Sequence, residues 1–188
     1  MEHYPPSSLE SLLERGLEEL GAATDRTAPL ADFARLVSRW GERMNLTGHS
    51  GPDAIARRLV LDAVALGCAL EEPTSLADLG SGAGFPGIPL AILWPRARIT
   101  LIESRERRHH FQRTAIRALG LRNVESRHGR AEVIEASTHA IAIAQAMGEP
   151  TEILDWMTPA SVYHNEINFN KNRKDLKSGQ KLCQQNGH

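Results

Sequence analysis

Several kinds of segment and residue are scarce or absent in this sequence of 188 residues. No run of about 18 apolar residues occurs, which excludes a membrane-spanning helix of ordinary length. Only two cysteines are present, and Cys68 and Cys183 lie too far apart to indicate a disulfide framework or a zinc site. The N-terminus lacks the basic-then-apolar order of a signal peptide. We therefore expect a protein of the reducing cytoplasm.

Lysine is absent from the first 170 residues, and all four lysines lie between Lys171 and Lys181. Asparagine shifts in the same direction, with two residues before position 158 and five after it. A single packed domain has no physical reason to change its composition so abruptly. We therefore predict that residues 158–188 form a divergent polar tail that buries too little apolar surface to fold. A different origin for this segment is a second interpretation, and both can hold at once.

Residues 1–72 are predicted to form an N-terminal helical cap. Apolar residues recur there at helical spacing in three segments, which are residues 9–20, 29–44 and 52–70. Pro52 suits the first turn of the third helix, where a missing N–H costs nothing.

Residues 73–157 show a different pattern, in which short apolar runs alternate with helical segments. This alternation is typical of a parallel, doubly wound α/β sheet. Strands are predicted at residues 75–79, 97–103, 124–127 and 139–144, and helices at residues 88–94, 105–119 and 131–136.

A glycine-rich turn follows the first predicted strand. The spacing Gly82-x-Gly84-x-x-Gly87 is a weak signal alone, but a strand precedes it and a helix follows it. Glu103 ends the next strand, 19 residues after Gly84, where a carboxylate can accept both hydrogen bonds of a ribose diol. The pattern therefore predicts a site for a nucleoside-containing cofactor. A structural turn whose glycines serve packing alone is the alternative.

Two residues of this turn bear on the identity of the cofactor. Pro86 removes an N–H donor from the first turn of the helix, and Asp78 adds a carboxylate close to the glycines. Both features are unfavourable for the diphosphate of a dinucleotide, which binds at free helix N-termini. They suit S-adenosylmethionine, which has no phosphate and carries a sulfonium and an ammonium group. An NAD-dependent oxidoreductase is the less favoured interpretation.

Three segments resemble a known family, namely RWGERMNLTGH (39–49), DLGSGAGFPGIPLAI (78–92) and LIESRERRHHFQR (101–113). The chain is similar through these segments to the bacterial small-subunit (16S) rRNA guanine-N7 methyltransferases, also called the glucose-inhibited division protein B family. The resemblance runs from about residue 30 to residue 157. It implies a Rossmann-like, S-adenosylmethionine-dependent methyltransferase sheet whose substrate is 16S ribosomal RNA or the small ribosomal subunit.

The expected cofactor-binding residues lie in the glycine turn and in two later segments; they are Asp78, Gly80, Gly82, Phe85, Glu103, Ala131 and Glu132. The resemblance implies that Glu103 holds the ribose and that Ala131 and Glu132 lie against the adenine. Phe85 is explained equally well as a core residue, and Glu132 as an exposed carboxylate at a helix start.

No catalytic residue and no metal site are predicted. Guanine N7 carries a free lone pair and no proton, so methyl transfer to it needs positioning and no general base. The adjacent His109 and His110 point in different directions on a helix, which argues against a pair of metal ligands.

Ten arginines and three glutamates lie between residues 96 and 130. Such a cluster is a plausible face for RNA phosphates, and a solvated charged helix is an equal alternative.

The sequence departs from the family pattern near its end. Gln145 lies where family members usually have an arginine after the fourth strand, and residues 158–188 do not resemble the strands that complete the family's sheet. We therefore expect the C-terminal strands to be missing. The alternative function is a non-catalytic remnant of the family that at most binds the cofactor.

Overall fold

A computed structural model describes residues 8–130 and 139–145 of the chain. Its first part is a group of helices: α1 (Ser8–Leu20), α2 (Thr27–Gly41), α3 (Pro52–Ile55) and α4 (Leu61–Ala69). A π-helical turn over Ala56–Val60 joins α3 to α4, so residues 52–69 form one continuous helical stretch. The three helical segments expected in the N-terminal cap are therefore confirmed, with ends that shift by no more than three residues.

Helix α1 illustrates how local sequence sets these elements. Its leucines recur on one face, and Leu13 and Leu17 are fully buried. The helix ends at Gly21, whose φ of 71° lies in the left-handed region that glycine adopts at little cost. There the Gly21 N–H donates to the Glu18 carbonyl and the Ala22 N–H donates to the Leu17 carbonyl.

In the described ranges, four parallel strands form one sheet in the spatial order β3-β2-β1-β4. Helix α5 (Gly87–Leu93) connects β1 to β2, and α6 (Glu106–Ala118) connects β2 to β3. The chain then reaches the opposite side of β1 to form β4. All four strands match the prediction to within two residues; they are β1 (Ser75–Leu79), β2 (Arg98–Glu103), β3 (Val124–His128) and β4 (Ile141–Ala144).

Strand β1 lies at the centre of the sheet, and every one of its residues is buried. It pairs with β2 on one side and with β4 on the other, so that Asp78 lies opposite Leu101 and Ile143. Among the described residues, β4 pairs with β1 alone. A central parallel strand with both faces covered explains why β1 reads as a short apolar run without alternation.

The helical cap and the sheet share one hydrophobic core. Phe33 of α2 packs against Phe85, with ring centroids 5.0 Å apart. Because apolar residues from both sides pack together, the predicted boundary between the cap (residues 1–72) and residues 73–157 is not visible as a separation of two cores. It stays a prediction.

Several expectations lie outside the described residues. These are the helix at 131–136, the polar tail at 158–188 and the missing C-terminal strands. Within the part that the structure describes, no helix is both long and apolar enough to span a bilayer.

Candidate cofactor-binding site

The loop of residues 80–87 leaves the carboxyl end of β1 and leads into α5. From β1 the chain builds the sheet first towards β2 and β3, and later places β4 on the other side. The carboxyl ends of β1 and β4 therefore form the point where the strand order reverses. Doubly wound sheets bind their ligands at such a point, so the topology favours the loop as a binding site.

The loop backbone passes through three positions whose conformation favours glycine. Gly80, Gly82 and Gly84 have φ values of 66°, 55° and 87°. The Ser81 N–H donates to the Ile102 carbonyl of β2 over 3.1 Å. The Ser81 backbone carbonyl in turn accepts hydrogen bonds from the Gly84 and Phe85 N–H groups. The loop is therefore held against the sheet by its own backbone.

The glycines of the loop serve two different purposes. A Cβ at Gly84 would lie 2.9 Å from Ile88 Cγ1, and a Cβ at Gly87 would overlap the Leu101 side chain. These two glycines are required by packing within the protein. For a Cβ at Gly82 the nearest described atoms would be Arg108 Nη1 at 3.7 Å and the Gly80 carbonyl oxygen at 3.8 Å, which are ordinary contact distances. Among the described residues, the space beside Gly82 is therefore open.

Glu103 reaches this loop from the end of β2, as the sequence predicted. Its Oε2 accepts the Gly82 N–H at 2.9 Å, and its Oε1 accepts the Arg105 N–H at 2.7 Å. The side chain is almost fully buried. Each carboxylate oxygen has a second lone pair, so Glu103 can brace the loop and still accept a hydrogen bond from a ligand hydroxyl.

Asp78 lies beneath the loop and is fully buried. Its Oδ2 accepts the Gly87 N–H at 2.9 Å, and its Oδ1 has no hydrogen-bond partner among the described residues. Burial raises the pKa of Asp78 well above its usual value, the Gly87 hydrogen bond lowers it, and the Glu103 charge raises it further. The sequence interpretation treated Asp78 as charged, whereas its surroundings favour the neutral acid.

The start of α5 offers no free N–H to a diphosphate. Pro86 and Pro89 have none, the Gly87 N–H donates to Asp78, and the Ile88 N–H donates to the Gly84 carbonyl at 2.8 Å. All four residues lie in the described part of the chain. The two missing N–H groups are evident from the prolines in the sequence. The hydrogen bonds that occupy the other two N–H groups are seen only in the structure, and together these features leave no donor for a diphosphate.

Phe85 is 8% exposed and packs on Phe33, which agrees with the core interpretation. Contact of Phe85 with a cofactor stays a prediction. Ala131 and Glu132, expected near an adenine, lie outside the described residues. The structure therefore brings Asp78, Gly80, Gly82 and Glu103 together at one edge of the sheet.

Sequence reasoning missed Gln112 of α6, which is fully buried beside the loop. Its Nε2 donates to the Gly82 carbonyl and to Ser81 Oγ, both at 2.8 Å. The available signal was its spacing, since Gln112 lies on the same helical face as the buried Phe111 and Ala115. A polar residue on an apolar face needs a hydrogen-bond partner, and here the partner is the loop.

The ten arginines between residues 96 and 130 do not form a single face. Those that precede β2 and β3 or begin β2 lie at the amino edge of the sheet, away from the loop; they are Arg96, Arg98 and Arg122. Those at the start of α6 and the end of β3 lie at the carboxyl edge with the loop; they are Arg105, Arg107, Arg108, Arg127 and Arg130. The sequence cluster is therefore divided between opposite ends of the sheet.

The histidines near the site form no metal centre within residues 8–130 and 139–145, where no group of three or more potential ligands occurs. His109 stacks on His128 with ring centroids 5.3 Å apart. Burial lowers the pKa of His109, and the nearby His128, Arg113 and His110 lower it further, against an opposing effect of Glu103.

The chain matches the family model described as rRNA small subunit methyltransferase G over residues 26–187. The match extends beyond residue 157, where the sequence interpretation had placed its end. Two curated relatives from Stenotrophomonas maltophilia, each named ribosomal RNA small subunit methyltransferase G, are 39% and 40% identical over 138 and 147 residues. The aligned parts cover 73% and 78% of this chain but 65% and 69% of the relatives.

A relative of the same name from Xanthomonas oryzae is 40% identical over 69% of this chain and 61% of its own length. The chain therefore spans about two thirds of the length of these relatives. Among solved structures, an S-adenosylmethionine-dependent methyltransferase from Aquifex aeolicus aligns with a TM-score of 0.46 at 20% identity, covering 55% of this chain and 58% of the other. By the extent of the family match and the identity to its curated members, this chain belongs to the rRNA small subunit methyltransferase G family.

Proposed function

We propose that the chain binds S-adenosylmethionine at the loop of residues 80–87 and transfers its methyl group to N7 of a guanine in small-subunit ribosomal RNA. The observation that carries this proposal is the open space at Gly82, whose N–H is held by a buried carboxylate at the end of the next strand. A cytoplasmic location follows from a ribosomal substrate.

The residues present fit this cofactor. Glu103 combines a fixed position with spare lone pairs for ribose hydroxyls. Gly80 and Gly82 let a ligand approach the backbone. Asp78 fixes the start of α5 through Gly87, and its second oxygen lies buried beneath the loop with no hydrogen-bond partner in the described part of the chain. Phe85 supports the loop from the core, and Ala131 and Glu132 are proposed to lie against the adenine.

S-adenosylmethionine supplies, when bound, a methyl group on a positively charged sulfur. Held at the loop by Gly82 and Glu103, it would supply this methyl group to the lone pair of guanine N7. Since N7 carries no proton, the protein is required to position two reactants and to exclude water. We accordingly assign no general base.

The arginines at the carboxyl edge support an RNA substrate. Arg105, Arg107, Arg127 and Arg130 are exposed on the same edge as the loop. Of these four, only Arg127 forms an ion pair among the described residues, with Glu125 at 2.7 Å. Exposed guanidinium groups there are available for phosphates close to the reacting base.

A tritium-transfer assay tests this function. Small ribosomal subunits that lack the modification are incubated with the chain and labelled S-adenosylmethionine, and Gly82→Val serves as the loop variant with Gly41→Ala as its control. We expect label in the ribosomal RNA with the wild type and with Gly41→Ala, and none with Gly82→Val. Binding of S-adenosylhomocysteine without any transfer would favour the non-catalytic remnant, and absence of both would overturn the proposal.

A further inference from the structure

Gln112 extends from α6 into the space between the helix and the loop, and no part of it is exposed. Its two amide hydrogens have two acceptors, which are the Gly82 carbonyl and Ser81 Oγ, each 2.8 Å from Nε2. The donors of this buried amide are therefore fully used on two consecutive residues of the loop.

The carbonyl side of Gln112 is occupied as well. The Ser126 hydroxyl of β3 donates to Gln112 Oε1, and His109 Nδ1 lies 2.7 Å from Ser126 Oγ. Because the single hydrogen of Ser126 is directed at Gln112, Ser126 Oγ accepts the Nδ1–H of His109, as the neutral Nδ1–H tautomer provides. The Gly82 carbonyl can only accept a hydrogen bond, so it fixes the amide orientation, with Nε2 towards the loop and Oε1 towards Ser126.

The peptide groups of Gly82 are consequently held on both sides. Its N–H donates to Glu103 Oε2 at 2.9 Å, and its C=O accepts from Gln112 Nε2. These two contacts come from different elements, since Glu103 ends β2 and Gln112 lies in the middle of α6. The residue held in this way is the one beside which the protein leaves space open.

We propose that Gln112 is a positioning residue for the cofactor, which sets the orientation of the Gly82 peptide, and that Ser126 holds Gln112 in the orientation required. This role rests on the proposed binding of S-adenosylmethionine at the loop. Gln112 does not touch the reacting atoms. It acts through the loop backbone, so its effect falls on cofactor affinity and on the order of residues 81–83.

The packing of α6 gives no other reason for an amide at this position. The neighbouring buried residues Phe111 and Ala115 are apolar, and an apolar side chain of similar length at 112 would fill the same space. A buried amide is unfavourable unless all its groups are paired. Here all of them are paired, and the groups that they serve belong to the loop and to its support.

We call the hydrogen bonds of Gln112 to Ser81 and Gly82 the Gln112 brace. Hydrogen exchange of the unliganded protein tests this brace without requiring any cofactor. Gln112→Met removes both donors and the acceptor at nearly constant length, and Ala115→Gly weakens the same helix without touching the loop. We expect the amides of residues 81–84 to exchange at least tenfold faster in Gln112→Met than in Ala115→Gly when the two are compared at equal distance from their melting temperatures. Equal loop exchange in the two variants would overturn the proposal.

Ser126 provides a milder second test in case Gln112→Met folds poorly. Ser126→Ala removes the hydroxyl that orients the amide, whereas Ser126→Thr keeps it on a strand that favours β-branched residues. Calorimetry with S-adenosylhomocysteine should give about tenfold weaker binding for Gln112→Met and about threefold for Ser126→Ala, with Ser126→Thr close to the wild type.

Ser126→Ala and Gln112→Met, made singly and together, also form a double-mutant cycle. If Ser126 acts through Gln112, then Ser126→Ala should weaken binding no further once Gln112→Met is present. Additive losses would contradict the proposed support by Ser126. A wild type that binds no S-adenosylhomocysteine but shows the predicted exchange difference would overturn the proposed function and leave the brace supported.

Discussion

Gly82 and Gly87 belong to the same loop, yet a methyl group added at each would meet different surroundings. At Gly87 it would overlap Leu101 and lie 2.7 Å from Asp78 Oδ2, whereas at Gly82 its nearest described neighbours would be Arg108 Nη1 at 3.7 Å and the Gly80 carbonyl oxygen at 3.8 Å. The second half of the loop is therefore fixed by packing on the sheet. The first half is fixed by hydrogen bonds to its backbone, which leave its outer side open for a ligand.

A glycine motif alone does not show whether a substitution impairs folding or ligand binding, whereas the surroundings of each glycine do. Changes in the second half should act on folding, and changes in the first half should act on binding. The following predictions test that separation, beginning with the largest expected effect.

Gly87→Ala should destabilise the fold by about 3 kcal/mol or prevent folding, because the added methyl overlaps a buried leucine in a close-packed core. Urea unfolding followed by far-UV circular dichroism measures the change. Gly41→Ala is the matched control, since no described residue places an atom within 4 Å of a Cβ there. A Gly87→Ala protein as stable as Gly41→Ala would show that the second half of the loop is loosely packed.

Gly82→Val should abolish detectable binding of S-adenosylhomocysteine, with at least a hundredfold loss of affinity, because the branched side chain fills the open space. Its cost in stability should be smaller, roughly 1–2 kcal/mol, since the positive φ is strained for valine while the added Cβ stays at least 3.7 Å from every described neighbour. Far-UV helicity should be largely retained. Persistent binding would mean that the ligand does not use this side of the loop.

Glu103→Ala should weaken binding of the same ligand by about 1.5–3 kcal/mol, the range expected for a lost hydrogen bond to a charged group. The loss combines a missing ribose contact with a less ordered Gly82, whose N–H loses its acceptor. Calorimetry provides the measurement, and Glu106→Ala removes a nearby exposed carboxylate as a control. Unchanged affinity in Glu103→Ala would place the ribose elsewhere.

Asp78→Asn should change how stability depends on pH. The folded-state pKa of Asp78 is raised above its ordinary value of 3.8, chiefly by burial, so its contribution is fully present below pH 3.8 and is lost as pH rises through the folded pKa. The asparagine cannot ionise and should therefore gain stability relative to the wild type as pH increases. Urea midpoints between pH 4 and pH 8 measure this trend.

An exposed carboxylate provides the control for that experiment, since Asp53→Asn changes the net charge by the same amount at the surface. If the two asparagine variants show the same pH trend relative to the wild type, then burial does not raise the pKa of Asp78. The interpretation of Asp78 as a charged residue would then be correct.

Much of the fold could be predicted because its elements are specified locally. Leu13 and Leu17 identify α1 by their spacing, and the glycine after it marks its end. The parallel order of the sheet followed from alternating strands and helices. The place of Glu103 at the loop was also predictable, because carboxyl ends of adjacent parallel strands lie at one edge.

The remaining features depend on contacts between residues distant in sequence. Gly84 is distinguished from Gly82 by the side chain that each faces, which the motif does not contain. The shift in the Asp78 pKa results from burial beneath a loop. Gln112 belongs to no sequence motif. Its partner Ser126 in β3 is 14 residues away in the chain and is brought to it only by the packing of α6 on the sheet.

The division of the arginines could have been inferred from the sequence with one further step. Arg98 begins a strand and Arg105 follows its end, so a parallel sheet places them at opposite edges. Treating the stretch from residue 96 to residue 130 as one basic face was wrong because sequence proximity was taken for proximity in space.

The most direct test of the central claim compares two nucleotide ligands on the wild-type chain. Isothermal titration calorimetry with S-adenosylhomocysteine and with NAD should give at least tenfold tighter binding of S-adenosylhomocysteine. Both ligands can place a ribose on Glu103, but only NAD carries a diphosphate, for which the start of α5 has no free N–H. Equal or tighter binding of NAD would contradict the account of this loop as a site for S-adenosylmethionine.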